Sequence, residues 1–245
     1  MLRTDGLSKS FGSLAVTRNV NLELARGERR ALIGPNGAGK TTLFDLLTGA
    51  LKPDRGRIYF GSRDITKTSS DFRARAGIAR SFQKNNLFVE MTVLENLIIA
   101  VVVASGAGHV FWRALRKQSK IRDRAVEFSR TVGIEKHLEE KVSNLSYGMQ
   151  RHLEVGLALA VDPVVLMLDE PTAGMTPEET AAMKSLIRSL PGTLTVLMVE
   201  HDMDVVFDIM DRVTVLDFGT ILFEGTPEQA RESDVVRQRY LGEAQ

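Results

Sequence analysis

The sequence predicts an α/β fold in which helices flank a mostly parallel sheet, and three observations support this prediction. A short predicted strand at residues 29–33 runs into a glycine-rich loop and then into a helical pattern. A continuous apolar run at residues 164–168 and a mostly apolar run at 194–199 are each followed by acidic residues, which is typical of strands buried on both faces of a parallel sheet. The pattern is helical between about residues 91 and 159. We therefore expect one domain spanning residues 1–245, with a helical subdomain inside it at about 91–159.

The glycine-rich loop at residues 34–42 reads Gly-Pro-Asn-Gly-Ala-Gly-Lys-Thr-Thr and fits the G-x-x-x-x-G-K-[ST] pattern of a phosphate-binding P-loop. Its glycines allow backbone conformations that other residues avoid, so successive N–H groups can point at phosphate oxygens. Lys40 supplies a positive charge, the Thr41 hydroxyl can ligate Mg²⁺, and the following helix presents its positive N-terminus. The order of strand, loop and helix is the context that this motif requires. A nucleotide phosphate is expected to bind here.

The two apolar strands carry candidate catalytic residues at their carboxyl ends. Such ends open onto the ligand crevice of a parallel sheet. Asp169 can hold Mg²⁺ from the second coordination shell, and Glu170 can orient or deprotonate a water that attacks the γ-phosphate. His201 is predicted at the same edge as a γ-phosphate contact. Solvated acids at a strand end, and a purely structural histidine, are the alternatives that the pattern leaves open.

Two further residues each have a functional and an ordinary interpretation. Phe11 can stack on an adenine ring, although a lone phenylalanine is more often a core residue. Gln83 ends a predicted strand at residues 77–82, where it can approach the metal and the attacking water. A glutamine at such a position is also commonly a surface amide. Residue patterns alone do not decide between these interpretations.

Composition narrows the possible partners. The chain has 32 Lys and Arg residues against 31 Asp and Glu, so its net charge of +1 gives no overall electrostatic footprint for nucleic acid. With no cysteine, it forms neither disulfides nor thiolate metal sites. No signal peptide is apparent, and the longest apolar run, residues 97–104, is far shorter than the roughly 20 residues of a membrane helix. We expect a soluble protein that can still dock on a membrane protein.

A basic stretch within the helical region is the strongest local charge feature. It contains Arg113, Arg116, Lys117, Lys120, Arg122 and Arg124, with Asp123 as the only acid among them. Such a stretch is usually a solvated helix face, and a surface for lipid head groups or a partner protein is the alternative.

The segment Leu-Ser-Tyr-Gly-Met-Gln at residues 145–150 completes a family pattern. It lies about twenty residues before the acidic strand end and is similar to the Leu-Ser-Gly-Gly-Gln signature of ATP-binding cassette (ABC) transporters. Together with the P-loop, the chain resembles the nucleotide-binding subunit of these transporters over almost its whole length. The resemblance implies a P-loop NTPase core with an N-terminal antiparallel β subdomain. Tyr147, Met149 and Thr176 depart from the usual family residues.

The resemblance also assigns roles by motif, with ATP and Mg²⁺ as cofactors and ATP hydrolysis as the reaction. The residues implied to bind ATP within one subunit are Phe11, Val16, Asn36, Gly37, Ala38, Gly39, Lys40, Thr41 and Thr42. Ser146 and the Gly148 N–H are implied to reach the γ-phosphate bound by the other subunit of a head-to-tail dimer. Mg²⁺ is implied at Thr41, Gln83 and Asp169, and catalysis at Lys40, Gln83, Glu170 and His201.

Within the family, the chain looks like the ATPase of importers for branched-chain amino acids and of their urea or amide relatives. The segments that carry this likeness are residues 33–44, 79–83, 87–88, 91–96, 200–203, 225–227 and 240–243. Such importers pair two different ATPases with two transmembrane permeases and an external binding protein. A heterodimer at the cytoplasmic face of the cell membrane is therefore implied, with a homodimer as the alternative.

Three other functions compete with this interpretation. An exporter ATPase would share every catalytic residue named above. A nucleic-acid- or ribosome-associated ATPase of the same family would resemble a chain with two cassettes, a long coiled coil or zinc-binding cysteines, and none of these features is present in the sequence. A non-hydrolysing adaptor is disfavoured because Lys40, Asp169 and Glu170 are all in place.

Overall fold

The computed structural model describes residues 1–81, 87–105 and 119–241. The chain divides into two compact units. The first unit comprises Met1–Ala74 and Gly192–Gln245, and the second comprises Arg75–Pro191. The predicted helical insertion at about 91–159 lies within the sequence of the second unit, and its status as a subdomain stays a prediction.

The described residues form strands and helices that we number in chain order. The strands are β1 (Leu2–Phe11), β2 (Leu14–Val20), β3 (Glu23–Leu24), β4 (Arg29–Ile33), β5 (Arg55–Phe60), β6 (Arg63–Asp64), β7 (Ile78–Arg80), β8 (Val165–Asp169), β9 (Thr195–Val199), β10 (Arg212–Asp217) and β11 (Thr220–Gly225). The α-helices are α1 (Lys40–Thr48), α2 (Ser70–Arg75), α3 (Val93–Ala104), α4 (Ser119–Thr131), α5 (Tyr147–Leu159), α6 (Pro177–Ser189), α7 (Met203–Ile209), α8 (Pro227–Glu232) and α9 (Asp234–Val236).

The first unit contains an antiparallel sheet and a mainly parallel group of strands. The antiparallel sheet has the order β2-β1-β5-β6, with β3 also paired to β1. In the parallel group, β4 lies between β10 and β9 and runs parallel to both, while β11 pairs antiparallel with β10. This combination of sheets and flanking helices confirms the predicted α/β class, including an antiparallel N-terminal part.

The register of β4 determines where the functional residues of the first unit lie. Leu32 of β4 pairs with Val199 of β9, so both strands end at the same edge. The P-loop follows β4 directly, and Glu200 and His201 follow β9. Both strands consist almost entirely of buried residues. A buried core therefore positions two candidate segments at one edge, as the sequence predicted.

The second unit contains the strand pair β7 and β8 together with α3 to α6. The two strands run parallel, with Arg80 paired to Met167. A Thr followed three residues later by a Glu predicts a capping box at Thr92 and Glu95, and the structure confirms it at the start of α3. Each side chain accepts a hydrogen bond from the other residue's backbone N–H. A second capping box, between Thr176 and Glu179, starts α6.

Arg73 stabilises the carboxyl end of α1, the helix that follows the P-loop. Its side chain is buried, and its guanidinium donates to the carbonyls of Leu46 at 2.6 Å, Leu47 at 2.9 Å and Ile65 at 2.8 Å. Burial lowers the pKa of Arg73 to about 10, so the group is still charged at neutral pH. A buried cation thus satisfies carbonyls that a helix end leaves without intrahelical partners.

We expect Arg73→Met to lower the free energy of unfolding by about 3 kcal/mol, because several buried carbonyls lose a charged donor. Urea unfolding monitored by circular dichroism measures this change. Arg57→Met is the matched control on the exposed surface of β5, and its cost should stay within about 0.5 kcal/mol. Equal stabilities of the two variants would contradict the role assigned to Arg73.

Candidate functional site

The P-loop is shaped by two glycines that lie against backbone carbonyls of other strands. Gly34 has φ 150° and Gly39 has φ 101°. A Cβ added to Gly34 would lie 2.0 Å from the Leu216 carbonyl oxygen, and one added to Gly39 would lie 2.5 Å from the Val16 carbonyl oxygen. Both distances are far below contact distance, so any side chain at either position would displace the loop. The close approach explains why the loop needs glycine there.

Lys40 lies inside the loop. Its side chain is buried, and its ammonium donates hydrogen bonds to the carbonyl oxygens of Gly34 at 2.6 Å and Pro35 at 2.9 Å. Both acceptors belong to the P-loop. The Lys40 ammonium therefore holds the curved loop around it, and its positive charge lies inside the curve. A phosphate entering the loop would meet this charge directly.

The start of α1 suits an anion. Its N-cap is Gly39, which makes no side-chain capping hydrogen bond, and no acidic residue lies in the first turn of this described helix. The first N–H groups of a helix lack intrahelical acceptors and carry the positive end of its dipole. Thr41, in the first turn, is exposed, and its hydroxyl oxygen is a hard ligand of the type that Mg²⁺ takes. These residues fit a nucleotide phosphate with its Mg²⁺ ion.

Strand β2 and the β10–β11 turn surround the loop within the first unit. Besides the contact with Gly39, the Val16 carbonyl lies close to Gly219, whose N–H donates to the Ala38 carbonyl at 3.0 Å. Phe11 is on the same hairpin as Val16, and 49% of its surface is exposed. The structure therefore does not place Phe11 in the core, and its exposed ring suits stacking on a base.

His201 is exposed and lies just beyond β9, at the edge where the P-loop begins. The segment that carries it is held by two acidic side chains. Buried Glu200 accepts a hydrogen bond from the His201 backbone N–H at 2.8 Å, and Asp202 caps α7 by accepting from Asp204 and Val205. The backbone of the histidine is thus fixed relative to the strand.

In the second unit, β8 presents Asp169 and Glu170 at its carboxyl end. The Asp169 side chain is buried and forms an ion pair with Arg80 of the neighbouring strand, at 2.6 Å from Nη2 to Oδ2. Glu170 follows with φ 49°, a left-handed conformation that is costly for a residue with a side chain. Strain of this kind is common at functional positions, which agrees with the role predicted for Glu170.

Ser146 and Gly148 lie at the N-terminus of α5. The Ser146 hydroxyl and the Gly148 N–H both donate to Oε1 of Glu179, each at 3.0 Å. Hydrogen bonds from Gly148, Thr176 and Ser146 hold the pKa of Glu179 below its usual value. Sequence reasoning missed Glu179, although its place in the Thr176 capping box was available as a signal.

Several residues predicted from the sequence fall beyond the part of the chain that the structure describes. Gln83 lies outside the described residues, and so do Arg113, Arg116 and Lys117 of the basic stretch. Within the described part of that stretch, Arg122 pairs with Glu139 and Arg124 pairs with Asp162. These exposed ion pairs agree with a solvated helix face.

The residues that the structure describes contain no group of three or more His, Cys, Asp or Glu side chains that could hold a metal ion. A Mg²⁺ ion that binds with a nucleotide keeps several waters and takes few protein ligands, so it requires no such cluster. Among the same residues, no helix has both the length and the apolar character needed to span a membrane.

The fold and the P-loop together define an α/β nucleoside triphosphatase of the P-loop class. A family model described as "ABC transporter" matches residues 17–173, which is more than half of the chain. The chain therefore belongs to the ABC transporter family, whose ATP-binding domain hydrolyses ATP. The resemblance predicted from the sequence motifs is confirmed.

Individual relatives match over the whole chain. The high-affinity branched-chain amino acid transport ATP-binding protein LivG of Escherichia coli K12 is 43% identical, covering 100% of this chain and 98% of that protein. The corresponding protein BraF of Pseudomonas aeruginosa is 38% identical over 100% of this chain and 98% of its own length. A crystal structure of an ATP-binding cassette of an ABC transporter in its ADP conformation superposes with a TM-score of 0.89 at 31% identity and covers 99% of both chains.

Replacing Arg80 tests the buried ion pair at the end of β8. We expect Arg80→Gln to lower the free energy of unfolding by about 3 kcal/mol, because the buried Asp169 carboxylate loses this cation. Guanidinium unfolding curves provide the measurement. The control Arg122→Gln removes an exposed ion pair and should cost about 0.5 kcal/mol or less. A loss below about 1 kcal/mol for Arg80→Gln would show that the ion pair adds little.

Proposed function

We propose that this chain is the ATP-hydrolysing subunit that powers import of branched-chain amino acids, or of a related small amide or amino acid. The geometry of the P-loop around Lys40 supports the ATPase part of the proposal. The observation that carries the substrate class is the full-length similarity to LivG, at 43% identity. An exporter would share the ATP site, but the relatives named above are ATP-binding proteins of branched-chain amino acid transport.

ATP binds to the first unit through its phosphates and its base. On binding, Lys40 exchanges the carbonyls of Gly34 and Pro35 for phosphate oxygens, which are stronger partners because they carry charge. The N–H groups of residues 36–42 donate to the phosphates, and Phe11 stacks on adenine beside Val16.

Hydrolysis depends on residues that follow the strands. Glu170 accepts a proton from the attacking water, and His201 contacts the γ-phosphate. When Mg²⁺ is bound, it neutralises charge on the phosphates, and Thr41, Gln83 and Asp169 would hold it, directly or through water. Arg80 pairs with the buried Asp169 and holds its carboxylate in a fixed orientation.

The complete site requires a second ATPase subunit arranged head to tail. Ser146 and Gly148 of one subunit then donate to the γ-phosphate bound by the other, so ATP joins the subunits and hydrolysis releases them. In the transporter this partner is a different ATPase, and two copies of this chain pair in isolation.

The remaining partners are transmembrane permeases and, through them, an external substrate-binding protein. The ATPase is peripheral to the cytoplasmic face of the cell membrane. Its contacts with the permeases lie near Gln83 and the helical region at about 91–159. With a net charge of +1, the chain has no nucleic-acid partner.

Lys40→Ala should weaken ATP binding about 100-fold or more, because the phosphates lose a buried cation. Isothermal titration calorimetry of the purified chain measures the affinity. Lys52→Ala removes an exposed lysine just beyond α1 and should leave the affinity unchanged. Binding within threefold of the wild type in Lys40→Ala would refute the phosphate site.

Glu170→Gln should bind ATP, hydrolyse it roughly 100-fold or more slowly, and accumulate as an ATP-bound dimer, because the water is no longer deprotonated. A phosphate-release assay and gel filtration in ATP measure the two effects. Glu178→Gln, an exposed change in the first turn of α6, is the control with normal turnover. Near-normal turnover in Glu170→Gln would disprove the assigned carboxylate.

Uptake measurements test the substrate class. In cells from which this gene is deleted, uptake of labelled leucine, isoleucine and valine should fall, while uptake of labelled arginine should not. The wild-type chain should restore uptake, and the Glu170→Gln chain should not. Unchanged uptake of all three branched-chain amino acids would overturn the proposed substrate class and leave the ATPase assignment intact.

A further inference from the structure

The N-terminus of α5 already holds an anion in the single subunit. Oε1 of Glu179 accepts the Ser146 hydroxyl and the Gly148 N–H, both at 3.0 Å. Two donors, a hydroxyl and a backbone N–H, thus converge on one charged oxygen at a helix N-terminus. Phosphate oxygens bind to donors of the same kind. The carboxyl group packs closely on Gly148, because a Cβ there would lie 2.7 Å from the Cδ atom of Glu179.

The other carboxylate oxygen belongs to a different helix. Oε2 of Glu179 accepts the Thr176 N–H at 3.2 Å, and the Thr176 hydroxyl accepts the Glu179 N–H at 3.3 Å, which closes the capping box of α6. Glu179 is therefore anchored to its own helix by one oxygen and reaches α5 with the other. Its side chain can leave Ser146 without giving up the cap.

We infer that Glu179 occupies, in the single subunit, the position that the γ-phosphate of ATP bound to a second copy of this chain takes when two subunits close. The inference rests on the proposed function, in which Ser146 and Gly148 contact that phosphate. A carboxylate and a phosphate repel each other and cannot share the same two donors at hydrogen-bond distance. Closure therefore displaces Oε1 of Glu179.

This competition raises the ATP concentration at which the dimer forms. The carboxylate keeps the two donors satisfied in the open subunit, and ATP must overcome these bonds at both sites of a symmetric dimer. Exposed charged contacts are individually weak, so the expected effect is modest: removing the charge should lower the ATP concentration for half-maximal dimerisation roughly three- to tenfold. A purely structural role for Glu179 predicts the opposite sign, because a less well-positioned Ser146 would bind phosphate less tightly.

The test compares Glu179→Gln with Glu178→Gln, each introduced into the Glu170→Gln chain, by sedimentation velocity over a range of ATP concentrations. Glutamine preserves the capping box at position 179, so the variant keeps its fold while losing the charge. Glu178 has the same charge in the same helical turn, and hydrogen bonds from its own backbone N–H and the Thr176 hydroxyl lower its pKa. Thermal unfolding of both variants verifies equal stability.

We expect the ATP midpoint of dimerisation to fall in Glu179→Gln and to stay unchanged in Glu178→Gln. An unchanged or higher midpoint in Glu179→Gln, with the Glu170→Gln parent still forming its dimer, overturns this inference alone. An equal fall in both variants also overturns it, because the effect would then come from the general charge of α6. If the parent forms no dimer in ATP, the proposed pairing of two copies fails, and the inference fails with it.

Discussion

The structure depends on the close packing of the phosphate loop against the carbonyl oxygens of Leu216 and Val16. Because Gly34 and Gly39 carry no Cβ, strands β10 and β2 can approach the loop from two sides and fix its curvature. Lys40 then lies on carbonyls within this curve, and α1 begins where the loop ends. Backbone packing thus determines the shape of the phosphate loop, and the charged Lys40 side chain lies inside that shape.

Three buried charges are stabilised in different ways, and the differences match their roles. The Arg73 guanidinium donates to backbone carbonyls at the end of α1 and at Ile65, so this cation has a structural role. Asp169 is paired with a neighbouring strand through Arg80, which fixes its orientation. Lys40 donates to the loop that it closes, so its partners can be exchanged for a ligand without disturbing the core.

Local patterns allowed much of the fold and part of the candidate site to be predicted. The P-loop, the Thr92 capping box and the α/β class follow from short-range spacing and are confirmed. The alternation of apolar and polar residues at 20–24 predicts one strand there, and this prediction is wrong, because β2 ends at Val20 and only Glu23–Leu24 forms β3. The pairs Arg80–Asp169 and Ser146–Glu179 join residues 89 and 33 positions apart, and no local pattern reports such contacts. The exposure of the Phe11 side chain results from its place in the β1–β2 hairpin, and the residues adjacent to it in the sequence do not indicate this exposure.

The contact between Gly219 and Ala38 has a consequence for how the protein is made. Strand β4, which precedes the P-loop, lies between β9 and β10. The turn whose Gly219 N–H donates to the P-loop follows β10. Strands β9 and β10 and this turn are therefore synthesised long after the P-loop. A ribosome-bound chain that has released residues 34–42 already has β2 but still lacks β9, β10 and the turn that follows β10. The loop can take its final form only after nearly the whole polypeptide has emerged, so truncated products would not sequester nucleotide.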